Sequence, residues 1–311
     1  MRQNVAIMFS RVLAPLDGSP AATERLQAIG ALCKYFGAEL VLLTVIDDRQ
    51  QGTMQVDLPT GPITARGEMI APEDLERRVA IYLDRALVIL SRAGIDVYSE
   101  QLDGDAEVTI LQAASKHECD LIAISPSTHQ TSRRIFTGST TERLLHSSPI
   151  PVFVVNEGSS ASFTSTGRKK AGGGTVLVPL DGSRDAEAPL AFASTLAGKI
   201  GAGLKLATIT PPALEAGEAG ELELRITRED VGHYLDRLVR RATLQGAQAD
   251  YEIAIGDSAT EFIKMANRLQ NPIVVMSTRR RSAASRRLVG SFADRVMRKL
   301  NHPMFVVPRG S

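Results

Sequence analysis

The chain has 311 residues, of which 43% are hydrophobic and 23% are charged, and its formal net charge is +1. This length is about twice that of a typical domain of roughly 150 residues, so we expect two globular domains. The near-neutral charge argues against binding to nucleic acid or to an anionic membrane, and no apolar run approaches the roughly 20 residues of a membrane-spanning helix.

Short apolar runs alternate with longer amphipathic runs through the first half of the chain. The short runs are rich in Val, Ile and Leu and nearly continuous, which is typical of strands covered by helices on both faces. In chain order the pattern predicts strand 12–16, helix 21–36, strand 40–46, a long loop 47–73, helix 73–93, strand 96–101, helix 106–117, strand 121–125, helix 140–146 and strand 152–155.

The second half repeats this order. Strands are predicted at 176–180, 204–209, 249–255, 273–277 and 304–307, with helices between them. Regular alternation of strands and helices predicts an α/β fold with a parallel, doubly wound sheet in each half. Ligands of such sheets bind outside the carboxyl ends of the strands, so the residues that follow each strand are the first candidates for a site.

An internal duplication is visible in the landmark residues. Asp17 recurs as Asp181, a shift of 164 residues, whereas Gly104 recurs as Gly256, a shift of 152. The smaller second shift places an insertion in the loop 47–73 of the first copy. We predict a first domain over residues 1–156, a flexible Ser- and Gly-rich linker over 157–174 and a second domain over 175–309.

The two cysteines limit the class of protein. Cys33 and Cys119 lie far apart in sequence and form no CxxC pair, and the five histidines form no HxH or HExxH pattern. Neither a disulfide framework nor a metal site is therefore expected. No segment before the first strand resembles a secretory signal, and we expect a cytoplasmic protein.

An acidic residue follows the first predicted strand of each copy. Asp17 and Asp181 each precede a glycine, which permits a sharp turn. The carboxylate either contacts the polar edge of a ligand or accepts hydrogen bonds from the amides of its own turn. The sequence leaves both interpretations open.

A Gly-Ser pair precedes the last helix of each copy. The free amides of a helix N-terminus could cradle a phosphate there, but the Ser-x-x-acid pattern is also an ordinary capping box. Arginines that follow the fourth strand of the second copy either hold phosphate oxygens or lie in a solvated loop. The residues concerned are Gly138, Ser139 and Thr140 in the first copy, and Arg280, Gly290 and Ser291 in the second.

These features together resemble the universal stress protein family in its tandem form. The carriers are the Pro-x-Asp-Gly-Ser turns at 15–19 and 179–183, the Gly-Asp and Gly-Ser pairs, and the final strands at 151–155 and 303–307. The resemblance covers nearly all of both copies. It implies an adenine-nucleotide alpha-hydrolase-like fold with strand order 3-2-1-4-5 in each copy, paired as a pseudo-dimer through the last strands, which would otherwise be open edges.

Some members of this family bind ATP through a Gly-x-x-Gly-x9-Gly-Ser/Thr loop, so the resemblance implies an adenine nucleotide, with Mg²⁺ if the ligand is ATP. Both copies keep the last two positions of the loop and lack both leading glycines, which would let the backbone approach phosphates. The matching loop positions are Ser125, Thr128, Gly138 and Ser139, and Ser277, Arg280, Gly290 and Ser291. The adenine side, which is retained, comprises Asp17 with Val45 and Asp181 with Ile209, and Gly104, Gly256 and Thr140 complete the candidate set.

The sequence contains no Walker A motif, no GxSxG motif and no closely spaced carboxylates, and it nominates no nucleophile with its base. We therefore expect a stress-response sensor or regulator that is not an enzyme and acts by ligand binding, with an adenine nucleotide as the candidate ligand, or by protein contact. Two alternatives stay open: an ATP-binding protein with slow ATP hydrolysis, and a scaffold that binds no ligand and acts through protein contacts. A homodimer of pseudo-dimers is also compatible with the pattern.

Overall fold

The computed structural model describes residues 8–18, 20–46, 57–58, 61–62, 72–125, 139–156, 174–212, 218–277 and 292–308. The chain divides into two compact units, Met1–Ser165 (unit 1) and Thr166–Ser311 (unit 2). Of the predicted linker 157–174, all but Gly174 lies outside the described residues, and the predicted pairing of the two copies stays a prediction. Among the described residues, no helix combines the length and the apolar character that a membrane span requires.

Unit 1 follows the predicted alternation, with boundaries that differ by one or two residues. In chain order it consists of β1 (Arg11–Pro15), α1 (Pro20–Phe36), β2 (Glu39–Ile46), β3 (Asp57–Leu58), β4 (Gly61–Pro62), α2 (Pro72–Arg92), β5 (Val97–Asp103), α3 (Ala106–Lys116), β6 (Leu121–Ile124), α4 (Ser139–Ser147) and β7 (Val152–Val154).

The main sheet of unit 1 is parallel. Its strands lie in the order β5, β2, β1, β6, β7, which is the predicted order 3-2-1-4-5. Helix α1 contacts α2, and α3 contacts α4, as expected when helices cover both faces of a doubly wound sheet. Strand β1 lies in the middle, and its residues Val12, Leu13 and Ala14 are fully buried.

One prediction in unit 1 is wrong. The stretch 47–73 was predicted as a loop, but β3 and β4 pair antiparallel within it, with Asp57 opposite Pro62. Apolar periodicity cannot reveal such short strands, because two residues are too few to show an alternation. The hairpin therefore belongs to the insertion that distinguishes the first copy from the second.

Within its described residues, unit 2 repeats the order of unit 1 without a counterpart of β3 and β4. It consists of β8 (Thr175–Pro179), α5 (Arg184–Glu187), α6 (Leu190–Ile200), β9 (Gly203–Thr210), α7 (Glu218–Leu244), β10 (Gln248–Ile255), α8 (Ser258–Arg268), β11 (Pro272–Ser277), α9 (Phe292–Lys299) and β12 (Met304–Val307). Its strands lie in the order β10, β9, β8, β11, β12, and neighbouring strands are parallel. The predicted order 3-2-1-4-5 is therefore confirmed in this unit too.

The helix after the first strand differs between the units. In unit 1 it is the continuous helix α1, whereas in unit 2 it is divided into α5 and α6 at Pro189. Proline lacks an amide hydrogen and its ring crowds the carbonyl of the preceding turn, so a helix cannot continue through it without a break. The position equivalent to Pro189 in unit 1, at the shift of 164 residues, is Arg25.

Candidate functional site

The candidate site of unit 1 lies at the carboxyl edge of the sheet, where β1 and β6 end. Asp17 follows β1 and is exposed, and Gly18 continues the turn with a φ of 75°. Ser125 follows β6 and is half-buried. First and fourth strands are neighbours at which the strand order reverses, so this edge is the expected binding crevice of a doubly wound sheet.

Arg25 of α1 reaches this edge from the helix that follows β1. Its side chain is almost completely buried, with the residue 7% exposed, and its Nη1 donates a hydrogen bond of 2.9 Å to the hydroxyl of Ser125. Ser125 occupies the place of the first glycine of the family loop. A positive charge is therefore anchored beside the start of the candidate phosphate loop, and the sequence reasoning did not identify it.

In unit 2 the serine equivalent to Ser125 has a different partner. The hydroxyl of Ser277 donates a hydrogen bond of 2.6 Å to the backbone carbonyl of Asp185, in the short helix α5. In both units, then, the helix after the first strand is bonded to the serine that ends the fourth strand. Unit 1 makes this contact with a guanidinium, whereas unit 2 makes it with the main chain.

The carboxylate of Asp181 is engaged in its own turn. Its Oδ1 accepts hydrogen bonds from the amide and the hydroxyl of Ser183, at 3.0 and 2.5 Å. The Ser183 hydroxyl also accepts a bond of 3.2 Å from the amide of Ala186 and so caps α5. This arrangement is the turn interpretation of the Asp-Gly-Ser motif, and it explains why unit 2 needs no ligand to form the turn.

The residues of the adenine side lie on the second strand of each unit. Val45 of β2 and Ile209 of β9 are both half-buried. The threonines that precede them differ: Thr208 donates a hydrogen bond of 3.1 Å to the carbonyl of Leu180, whereas the fully buried hydroxyl of Thr44 has no partner within the described part of the chain.

The Gly-Asp pairs form the start of the third helix in each unit. Gly104 and Gly256 have φ values of 137° and 142°, which L-residues rarely adopt. Asp105 caps α3 by accepting a bond of 3.2 Å from the amide of Val108, and Asp257 caps α8 through a bond of 3.0 Å from the amide of Thr260. The glycine permits the turn, and the aspartate satisfies the helix amides.

Two arginines that the sequence reasoning missed connect these caps to the last helix. Arg143 of α4 donates two hydrogen bonds to the carboxylate of Asp105, at 3.2 and 3.3 Å, and also forms an ion pair with Glu107. Arg295 of α9 makes the equivalent forked contact with Asp257, at 2.5 and 2.8 Å. Both arginines follow a Gly-Ser pair at the same spacing, so comparison of the copies could have found them.

The contact in unit 2 changes the chemistry of its carboxylate. The guanidinium of Arg295, together with the hydroxyl and amide of Thr260, lowers the pKa of Asp257 well below its usual range. A charge-assisted, forked contact of this kind favours the ionised carboxylate. Because the same contact recurs in unit 1, it fixes the last helix against the third helix in both copies.

A second feature shared by the copies is a Tyr-Leu-Asp-Arg run on the long helix, at 82–85 and 234–237. Tyr82 is buried. Burial raises the pKa of Tyr234, and the nearby carboxylates of Glu187 and Asp181 raise it further. The guanidinium of Arg237, 5.8 Å from the centre of the Tyr234 ring, acts in the opposite direction and lowers this pKa.

The predicted loop residues before the last helix are only partly described. Ser139 begins α4, one residue earlier than predicted, and Thr140 is half-buried in the first turn of α4. The remaining predicted loop residues lie outside the described residues: Thr128, Gly138, Arg280, Gly290 and Ser291.

Both cysteines are buried. Burial raises the pKa of Cys33 to about 12 and that of Cys119 to about 11, so both thiols stay protonated at neutral pH. In the part of the chain that the structure covers, no group of three or more His, Cys, Asp or Glu residues could hold a metal ion.

Comparisons with known proteins identify the family and the fold. The model of the universal stress protein family matches residues 8–156 and 174–308. A universal stress protein of Synechocystis sp. is 30% identical over 149 residues, which are 48% of this chain and 87% of that protein.

A solved structure that matches almost the whole chain has the same fold. The crystal structure of a universal stress protein from Archaeoglobus fulgidus, 20% identical in sequence, covers 97% of both chains with a TM-score of 0.64. A shorter universal stress protein from Archaeoglobus fulgidus, solved in complex with dAMP, covers 48% of this chain and 98% of its own, with 14% identity and a TM-score of 0.34. The match of the family model to both units shows that the chain belongs to the universal stress protein family, with two such domains in tandem.

Proposed function

We propose that this protein is a regulatory protein that binds an adenine nucleotide at the carboxyl edge of its sheet and does not turn it over. The observation that carries the proposal is the contact between the helix after the first strand and the serine that ends the fourth strand. It brings Arg25 to Ser125 in unit 1 and Asp185 to Ser277 in unit 2. Polar groups are thereby collected in the crevice where doubly wound sheets bind their ligands.

The residues at this edge suit a ligand with an apolar ring and a polar end. Val45 and Ile209 offer half-buried aliphatic surface on the second strand, next to the turn that carries the aspartate. A purine ring would lie against such a surface, and the amides at the start of α4 or α9 would face a phosphate.

A role without turnover is favoured by the side chains that surround the edge. Catalysis of hydrolysis requires a base or an activated nucleophile within hydrogen-bonding reach of the reacting atom. Both thiols are buried and have raised pKa values, and Asp181 is bonded to its own turn. Asp257 is held ionised by Arg295. Each carboxylate in these contacts thus has a structural partner.

Calorimetry tests the binding step directly. AMP, dAMP, ADP and ATP would be titrated into the full chain, with and without Mg²⁺, after removal of any co-purified nucleotide. We expect saturable binding of at least one adenine nucleotide, weakened by the double variant Asp17→Ala with Asp181→Ala. No heat and no shift in melting temperature with any of the four would refute the proposal.

The absence of turnover has its own test. The chain would be incubated with ATP and Mg²⁺, and release of ADP, AMP and phosphate would be followed by chromatography. We expect no product above the level of a buffer blank. Release that disappears in the Asp17→Ala and Asp181→Ala double variant would show an ATP hydrolase instead.

A second candidate function is supported by a specific surface. On α2, Ile81, Val88 and Ile89 are 36%, 48% and 47% exposed. Residues seven and eight positions apart share a helix face, so the three form an apolar stripe that could bind a protein or a second copy of the chain. Sedimentation of the wild type and of Val88→Asp tests the second copy: a dimer that becomes a monomer supports the scaffold function, and identical monomers argue against it.

A further inference from the structure

We propose that the two copies have divided their roles, and that unit 1 is the one that receives the phosphate of the nucleotide, with Arg25 as the residue that selects a phosphorylated ligand. This inference rests on the proposed function and names the chemistry of its site. It is argued from the differences between equivalent positions of the two units at the carboxyl edge.

The two units differ in charge around this edge. Equivalent positions are separated by 164 residues before the insertion and by 152 residues after it. Over residues 20–25, at the start of the helix after the first strand, unit 1 carries the more positive residue at three positions and the less positive residue at two. The three are Ala21 against Asp185, Thr23 against Glu187 and Arg25 against Pro189, and the two are Pro20 against Arg184 and Glu24 against Ala188. In the loop after the fourth strand the difference is reversed, with Thr128 against Arg280.

Within the described residues, Arg25 is the only one of these basic residues whose side chain contacts the residue that begins the predicted phosphate loop, Ser125. It is 7% exposed and bonded to Ser125. A guanidinium stays charged at neutral pH and carries five N–H donors in a fork that matches phosphate oxygens. In a crevice with little solvent its field is screened far less than that of a surface arginine. It can therefore replace part of the phosphate contact that the lost glycines provide in other family members.

Unit 2 makes a different contact at the same place. Pro189 separates α5 from α6, and Ser277 bonds to a main-chain carbonyl rather than to a cation. Burial raises the pKa of Tyr234, and the carboxylates of Glu187 and Asp181 raise it further. These carboxylates would repel a phosphate, and Arg184 and Arg237 are exposed, where water screens their charge.

The inference predicts a specific preference rather than a general loss of binding. Wild type is expected to bind one AMP per chain, and to bind AMP at least tenfold more tightly than adenosine, because a hydrogen bond to a charged group contributes about a factor of ten or more. Arg25→Met is expected to remove most of this preference while the affinity for adenosine stays the same. A merely structural role of Arg25 would change both affinities together.

The experiment is calorimetry of the full chain with AMP and with adenosine. The matched control is Arg184→Met, which removes an exposed arginine from the equivalent helix of unit 2 and should leave the ratio of the two affinities unchanged. Arg25→Lys keeps the charge but loses the fork, and it should retain part of the preference. This variant also serves if Arg25→Met proves unfolded by circular dichroism.

The outcomes separate the inference from the proposed function. Two equal AMP sites per chain, or an unchanged affinity ratio in both Arg25→Met and Arg25→Lys, would overturn the division of roles and leave nucleotide binding intact. An equal loss of AMP and adenosine affinity in a folded Arg25→Lys protein would show that Arg25 only supports the fold. If wild type bound neither ligand nor any other adenine nucleotide, both proposals would fail together.

Discussion

The glycines before the third helix offer a matched test of how the turn is built. Gly104 and Gly256 have nearly the same φ, 137° and 142°, but they face different neighbours. A Cβ on Gly104 would lie 2.8 Å from Oγ1 of Thr109, whereas a Cβ on Gly256 would lie 2.9 Å from Cγ of Glu261. Both substitutions to alanine therefore strain the backbone, but only one meets a neighbour that cannot move away.

The magnitudes follow from these two contributions. An unfavourable φ alone costs about 1 to 3 kcal/mol, so we expect this loss for Gly256→Ala, where the flexible Glu261 side chain can turn toward solvent. Thr109 is 7% exposed and belongs to α3, so its hydroxyl cannot turn toward solvent to make room for the new methyl group. Crowding of a packed site costs about 1 to 3 kcal/mol more, and we expect Gly104→Ala to destabilise by the sum.

Hydrogen exchange of the full chain is the appropriate assay, because the two units need not unfold together and a single melting curve would combine their two unfolding transitions. Amides of α3 should lose protection in Gly104→Ala, and amides of α8 should lose less in Gly256→Ala. In the Thr109→Ala background, the cost of Gly104→Ala should fall to that of Gly256→Ala. Gly37→Ala is the control, since Gly37 also has a positive φ, 72°, but faces open space.

The reasoning would be refuted if Gly104→Ala and Gly256→Ala cost the same, or if Thr109→Ala did not relieve the first of them. Equal costs would mean that backbone strain alone decides both positions. If Gly104→Ala and Gly256→Ala each destabilised the protein less than Gly37→Ala, the φ values of the Gly-Asp turns would not constrain the residue type.

Two further predictions concern ionisable groups. Burial raises the pKa of Cys33 to about 12 and that of Cys119 to about 11, so at pH 8 both should react with a thiol reagent at least tenfold more slowly than a free cysteine. In denaturant they should react at the normal rate. Rapid labelling of the folded chain would contradict this. Arg295→Met should lower the melting temperature at neutral pH, because it removes the partner that lowers the pKa of Asp257. A carboxylate with a lowered pKa contributes stability above its unfolded value of about 3.9 and loses it as the pH falls further, so the difference from wild type should shrink below about pH 4. An undiminished difference there would indicate that Arg295 acts through packing.

Much of the fold could be predicted from the sequence because the signals are local. Strands β1 and β12 are short and mostly apolar, with the sequences Arg-Val-Leu-Ala-Pro and Met-Phe-Val-Val, and both were predicted to within one residue. Their burial on both faces is a direct consequence of that composition. The hairpin β3–β4 could not be predicted, since a strand of two residues has no detectable period.

The candidate site was only partly accessible to sequence reasoning. The positions of Asp17 and Asp181 after the first strand, and of Ser125 and Ser277 after the fourth, follow from strand prediction and the family pattern. The contacts between Arg25 and Ser125, and between Arg295 and Asp257, join residues 100 and 38 positions apart. No local pattern specifies such pairs, because they depend on how α1 and α9 pack against the strand ends.

The sequence by itself determined the duplicated α/β architecture, the order of the elements and the edge at which a ligand is expected, because hydrophobic periodicity and repeated turn motifs encode these directly. Only the tertiary structure decided what occupies that edge. It shows that Arg25 is buried and bonded to Ser125 in unit 1, while in unit 2 Pro189 separates two helices and Ser277 is bonded to the main chain. Two copies with the same motifs thus give the equivalent serines different partners, since these partners depend on which distant groups the packing brings to the strand ends.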